Sequence, residues 1–302
     1  MTKTIWHKRL LFFLVSAFLT FWTIGAALST VDAATVTKAQ QWTWLSSNDK
    51  YSKFFDPASV TVTRKATTPH GDVATEIEAW TKTGYSYEGA DETIANYDIG
   101  DVLPNSSLLS YSLARIRVNP QNRTVLCLQE TFYDADNRVI WSRAEGNVKE
   151  MNSQEFDEEF YGAVVDQVFR LGELARIKAD NRWRQLYEDK TADGIVTIAK
   201  ADTSTMRMKD ANLIYWEWLH RQNADAKVLE IKFVKKVVNL SKGTEKVLVG
   251  KYWSPTTRWQ ELEDDMEGRY RMIGETSPEY KGLEILRAYA KGYSMWVNRY
   301  SL

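Results

Sequence analysis

The chain reads as an α+β protein built from two tandem copies of one unit, each an antiparallel β-sheet, a meander of hairpins, with a C-terminal helix packed on one face. Three observations predict this. Short sequence matches recur in the same order in both halves, the mark of an internal repeat. Stretches such as Leu229, Ile231 and Phe233, alternating with Glu230 and Lys232, have the two-residue period of half-buried strands. Turn compositions, Asn119-Pro120-Gln121-Asn122 and Asn239-Leu240-Ser241-Lys242-Gly243, separate adjacent strands, so the connections are hairpins rather than crossovers.

Residues 1–33 come first and differ in kind. Lys3, Lys8 and Arg9 precede Leu10 to Leu28, which has no charged side chain, and Val31-Asp32-Ala33 supplies small residues at −3 and −1 of a cleavage site. This is the layout of an export signal, with the mature chain starting at Ala34. A run of this length also approaches the roughly 30 Å of a bilayer's hydrocarbon core, so retention as an anchor is the alternative. Either way the remainder is expected outside the cytoplasm, periplasmic or at the cell surface, with membrane contact only through the N-terminal segment if it is uncleaved. No Cys closes the apolar run, which argues against a lipid-anchored form.

Without Lys3, Lys8, Arg9 and Asp32 the balance of 39 basic and 40 acidic residues becomes 36 and 39, a net charge of −3. Such a chain has no basic field for nucleic acid. Cys127 is the only cysteine, so no intramolecular disulfide forms, and its strand-like setting between Leu126 and Leu128 reads as a buried, inert thiol.

The two units are taken as residues 34–175 and 176–302. Asp56-Pro57-Ala58-Ser59-Val60 matches Asp202-Thr203-Ser204-Thr205-Met206, and each is followed by a strand bearing a Trp, Trp80 or Trp216. Leu113 to Asn119 is echoed by Phe233 to Asn239, and five residues after each Asn a Thr, Thr124 or Thr244, opens the next strand. Those strands end in Tyr133 and Tyr252, and a second Trp follows, Trp141 or Trp259. Trp183 takes the place of Trp42.

Each copy finishes with a helix entry. Asn152-Ser153-Gln154-Glu155-Phe156 and Thr276-Ser277-Pro278-Glu279-Tyr280 both place a cap residue, then an acid, then an aromatic that starts a buried stripe. Phe160, Val164 and Val168 continue the first stripe, and Leu283, Leu286, Tyr289 and Tyr293 the second. Core positions are expected for Trp80, Trp141, Trp216 and Trp259. The first copy carries an extra segment, roughly Gly84 to Pro104, read as a long loop with Tyr85, Tyr87 and Tyr97 among Gly, Asp and Asn. Leu171 to Trp183 is charged and helix-compatible, so the junction is stiff.

Catalytic chemistry has little to stand on. His70 sits in the turn Thr67-Thr68-Pro69-His70-Gly71 and His220 ends the run Leu213 to Leu219, about 150 residues away. No Gly-x-Ser-x-Gly, His-Glu-x-x-His or Gly-rich phosphate loop is present, and no cofactor is implied. Glu261, Glu263, Asp264, Asp265 and Glu267 before Gly268 offer oxygens to Ca²⁺ but lack the EF-hand order, so a solvated loop is the plainer reading. Asp157, Glu158 and Glu159 fall in a helix's first turn, where the dipole favours anions. An unrecognised enzyme would use the matched acids Asp56 and Asp202.

The pattern Trp42-x-Trp44, then Phe55-Asp56-x-x-Ser59-Val60, then a strand with Trp80, resembles the surface-adhesin protein E domain of bacterial envelopes. The resemblance implies an exported, noncatalytic sheet-plus-helix domain, some of whose relatives bind host matrix or plasma proteins. The Cys pair such domains often carry has no equivalent here. The whole chain is also similar to exported proteins of double-membraned Firmicutes with no assigned activity, which share a stretch like Tyr51-Ser52-Lys53-Phe54-Phe55-Asp56-Pro57.

The functional expectation is therefore an exported, noncatalytic envelope protein that binds a protein or glycan, from the envelope or a host matrix, through the exposed rings of Tyr85, Tyr87 and Tyr97. An enzyme using Asp56 and Asp202, or a purely structural envelope component, is the alternative.

Overall fold

The fold is taken from a computed structural model and is described for residues 41–262 and 269–302. The export segment and the acidic residues Glu263 to Glu267 lie outside the described residues. No helix among the described residues is long and apolar enough to cross a membrane.

Two eight-stranded antiparallel sheets form. The first contains β1 (Thr43–Ser47), β2 (Tyr51–Phe55), β3 (Thr61–Thr68), β4 (Gly71–Tyr85), β5 (Tyr111–Asn119), β6 (Thr124–Tyr133), β7 (Val139–Arg143) and β8 (Val148–Glu150). Its order is β1-β2-β4-β5-β6-β7, with β3 also on β4 and β8 on β6. The second contains β9 (Trp183–Lys190), β10 (Val196–Asp202), β11 (Arg207–Lys209), β12 (Asn212–Gln222), β13 (Val228–Asn239), β14 (Thr244–Ser254), β15 (Arg258–Glu261) and β16 (Arg271–Met272). Its order is β9-β10-β12-β13-β14-β15, with β11 also on β12 and β16 on β14. Strand for strand the two are the same meander.

The likeness extends to irregularities. Leu45 bulges out of the β1–β2 ladder and Leu186 out of β9–β10, and both bulged leucines are buried. Leu128 and Leu248 are skipped in the matching ladders β5–β6 and β13–β14. The Asp turns agree atom for atom: Ala58 N donates to Asp56 Oδ1 at 2.9 Å and Ser204 N to Asp202 Oδ1 at 3.0 Å. Ser59 Oγ and Thr205 Oγ1 each donate to the Asp carbonyl and accept from the backbone N–H of Trp80 or Trp216. One expected match shifts. Asn119 faces Thr124 and Asn239 faces Thr244, yet Tyr111 faces Tyr133 whereas the equivalent Ile231 faces Trp253. Tyr133 therefore corresponds to Trp253, and Tyr252 to Phe132, because identical aromatic character at neighbouring positions masks a one-residue offset.

The helices partly depart from expectation. The extra segment is not a loop but holds α1 (Tyr87–Tyr97), capped by the Ser86 hydroxyl on Gly89 N and ended by Asp98 in a left-handed conformation, φ 52°. Ala90 and Ile94, one turn apart, are buried with Ile99, Leu103, Leu109 and Phe132, and this packing outweighs the local cost of Gly89. At Gly89 the helix touches the end of the β1–β2 hairpin, where a Cβ would stand 2.2 Å from the Lys50 carbonyl oxygen. The first terminal helix, α2 (Glu158–Phe169), starts later than its sequence cap, because Asn152 instead closes a turn on Gln154 N. Phe156 consequently lies exposed. The second, α4 (Pro278–Gly292), has Ser277 rather than Thr276 at its N-cap, with Pro278 in the first turn as expected. A short α3 (Glu173–Ile177) packs Leu174 and Ile177 into the first core, so the boundary at 175/176 falls inside an element that belongs to the first unit.

Each terminal helix covers one sheet face: Phe160, Tyr161 and Val164 lie on Ile77, Ala79, Ile116, Val118 and Val125, and Leu283 and Leu286 on Leu186, Ala199, Leu213 and Tyr215. Trp80 and Trp216 alternate with those inner residues and occupy the opposite faces. Trp216 is a core residue there as expected, buried and stacked on Phe233 with ring centroids 4.6 Å apart, whereas Trp80 is only half-buried. Trp259 is 45% exposed.

Where the copies join, Arg123, Arg182 and Arg299 meet Glu158, Glu173 and Asp202, three cations against three anions, all six buried or nearly so. Glu158 accepts from Arg182 at 2.7 and 2.8 Å and from Arg123 at 2.8 Å. Glu173 accepts from Arg299 Nε at 2.8 Å and the Tyr300 hydroxyl at 2.7 Å. Glu158 is thus a junction residue, more than a solvated acid at a helix start.

Candidate functional site: a roofed cavity in the first unit

A cavity of about 550 Å³ opens between the inner face of the first sheet, α1 and α2. Its floor is set by strand alternation: Thr81, Thr83 and Tyr85 on β4, Ala114 and Ile116 on β5, Val125, Cys127 and Glu130 on β6 all point to the helix side. Met151 and Phe160 close one wall, and Glu92, Thr93, Asn96 and Tyr97 of α1 form the roof. Asn147, Lys149, Phe156 and Asp157 also line it. The volume falls in the range of small-molecule sites, and aromatic walls there meet convergent polar groups.

The duplication shows how the first unit comes by this space. By register, Thr81, Ile116 and Val125 correspond to Glu217, Lys236 and Glu245 of the second sheet. There Lys236 Nζ lies 2.7 Å from Glu217 Oε1 and 3.5 Å from Glu245 Oε2, all three buried. In place of α1, the second unit has only the turn 223–227 between β12 and β13, held by Asn223 Oδ1 on Asp225 N and Lys227 N. Small or apolar side chains below and a helix above make the cavity of the first.

One polar network crosses it. Arg143 on β7 donates to Glu130 Oε2 from Nε at 3.0 Å and to the Tyr97 hydroxyl from Nη2 at 2.9 Å, and its guanidinium lies 4.6 Å from the Tyr97 ring centroid. Tyr97 donates to Glu130 Oε2 at 3.0 Å, Ser112 to Glu130 Oε1 at 3.0 Å, and the Tyr85 and Ser112 hydroxyls are 2.7 Å apart. Around this network burial opposes charge. It pushes the Cys127 thiol up to about 11, helped by nearby Glu130, and raises the Tyr85 phenol well above its usual value. It raises the Asp157 carboxyl and lowers the Lys53 ammonium, which sits 3.7 Å from the Phe156 ring centroid.

Of the three tyrosines expected to be exposed, Tyr85 and Tyr97 are half-buried cavity walls, and Tyr87 alone, 68% exposed, stands free on α1. The extra segment fixes its rings inward because α1 folds down on Phe132. Asp56 and Asp202 cap turns, do not line the cavity, and Asp202 is further paired with Arg182. His70 is exposed in a hairpin turn and His220 lies on the outer sheet face, far from each other in the fold's two sheets. Glu130 and Arg143 escape sequence reading, since no motif links them, and Asp157 is read there only as an acid at a helix start. The one available signal was Glu130, the only charged residue of the strand Thr124–Tyr133. Among the described residues no group of three or more His, Cys, Asp or Glu is placed to hold a metal.

Comparison of the chain with protein-family models, with curated proteins and with solved structures finds no match in any of the three.

Proposed function

We propose that this chain is an exported, noncatalytic cell-envelope protein, periplasmic or at the cell surface, that binds a small ligand in the cavity of its first unit. The carrying observation is the asymmetry of the duplication: one unit fills the inner face of its sheet with a buried ionic triad, while the other leaves a roofed space at the same positions. Export rests on the layout of residues 1–33. The noncatalytic reading rests on Asp56 and Asp202, the best acids for an enzyme, whose carboxylates satisfy backbone N–H groups outside the cavity.

The test is a cavity-filling variant. Ala114→Phe should abolish every thermal shift that a small-molecule library induces in the wild-type chain while leaving the far-UV circular dichroism unchanged. Shifts that persist in the variant would place binding elsewhere.

A protein or glycan partner is favoured by a second observation. Trp218, Phe233 and Trp259 cluster on the outer face of the second sheet, with Trp218 6.1 Å from Trp259 between ring centroids. Trp259→Ala should then weaken capture of purified envelope glycan or matrix protein without altering the cavity's ligands.

A further inference from the structure

Resting on the reading of the cavity as the binding site, we infer that its ligand is an uncharged, partly apolar molecule whose hydrogen-bond acceptor meets Nη1 of Arg143. Within the floor, Ala114, Ile116, Val125 and Cys127 form a patch whose only polar atom is the thiol, with Met151 and Phe160 beside it and the hydroxyls of Thr81 and Thr83 confined to β4. The body of the ligand is therefore apolar.

The polar end follows from which valences are already used. Glu130 Oε2 accepts from Arg143 and Tyr97, and Oε1 accepts from Ser112. The Tyr85 hydroxyl is engaged with Ser112. Arg143 spends Nε and Nη2 on Glu130 and Tyr97, and Nη1 has no acceptor among the described residues. Gly146 flanks that nitrogen, and a Cβ there would stand 3.2 Å from Nη1, so the glycine keeps its approach open. The free group of this network is a donor, and the matching ligand group is an acceptor such as an amide or ketone oxygen.

Charge is excluded on two grounds. An anion at Nη1 would lie beside Glu130, and a cation near Glu130 would lie beside Arg143, whose charges already compensate each other at 2.8 Å. At the mouth, Glu92 is held by Lys50 at 2.9 Å, and Lys53 and Lys149 both act on Asp157. Burial displaces Cys127, Tyr85, Asp157 and Lys53 toward their neutral forms, as in a space that solvates charge poorly.

A matched set tests the inference: 2-naphthamide, 2-naphthoate and 2-naphthylmethylammonium, of similar size and differing in charge. Because Cys127 is the only cysteine and lines the cavity, its alkylation by iodoacetamide at pH 9 reports occupancy, alongside calorimetry on the mature chain. The amide should slow alkylation and bind at least tenfold more tightly than either charged analogue. Arg143→Lys, which keeps the charge facing Glu130, should weaken the amide at least fivefold. Gly146→Ala, which leaves the Arg143–Glu130 pair intact, should weaken it as well. Tighter binding of the naphthoate or the ammonium would overturn the uncharged class while keeping the cavity as the site. If none of the three slows alkylation the inference falls, and if a chemically mixed library also leaves alkylation and melting unchanged, the cavity reading falls with it.

Discussion

Arg182 and Asp202 are joined by two hydrogen bonds, Nε to Oδ1 at 2.9 Å and Nη2 to Oδ2 at 2.6 Å, with Asp202 fully buried. The equivalent Asp56 makes the same turn with no guanidinium partner among the described residues, since the register places Gln41 where the second unit has Arg182. The two acids should therefore differ sharply. Asp56→Ala should cost about 0.5–2 kcal/mol, the usual loss of a cap, and Asp202→Ala about 3–5 kcal/mol, because it leaves three buried cations facing two anions. Urea denaturation of both variants measures this, and equal losses would show that the arginine adds nothing.

Glu173 predicts the acid limb of stability. Although burial alone would raise its carboxyl, Arg299 and Arg123 hold it below the usual range of about 4.3. The folded state thus binds this proton less readily than the unfolded chain. Its contribution is complete above the unfolded value and disappears as pH falls through the folded one. Glu173→Gln should lose about 3–5 kcal/mol at pH 7, with Arg123 and Arg299 left short of a charge, and should show a weaker further loss than wild type between pH 5 and 3.

Asp157 carries the opposite sign. Burial raises its carboxyl, so the folded state favours the protonated form and the carboxylate burdens the fold at neutral pH. Asp157→Asn, which serves equally well before a helix, should raise the melting temperature at pH 7. The difference should vanish below about pH 4, where the unfolded Asp is also protonated. A variant less stable than wild type at pH 7 would mean that Lys53 and Lys149 outweigh desolvation.

Gly89 is the hinge of the cavity's roof. A Cβ there collides with the Lys50 backbone, so Gly89→Ala should lift α1 from the hairpin and uncover the cavity. Iodoacetamide should then alkylate Cys127 at least several times faster, while the second unit's buried Lys236 triad keeps its own hydrogen-exchange protection.

Intact mass of the exported form should correspond to a chain beginning at Ala34. A full-length species in the membrane fraction would convert the reading to an uncleaved anchor.

The sequence by itself determined the repeat, and with it the sheet. Alternation within Leu229 to Phe233, the Asn-rich hairpins and the paired Asp turns are local patterns whose physics acts over a few residues, so they are legible wherever the chain runs. What it could not show was which face each strand buries. The two-residue period places Trp216 and Trp218 together but not under or away from the helix, and only packing of Leu283 and Leu286 on Tyr215 decided it. The extra segment likewise looked like a loop because its glycines lower helix propensity, until burial of Ala90 and Ile94 against Phe132 outweighed that cost. The cavity needed still more. Tyr97, Glu130 and Arg143 stand on three different elements and Asp157 is the N-cap of a fourth, and their meeting is a property of how α1 and α2 lie across one sheet, a long-range arrangement that no spacing along the chain encodes.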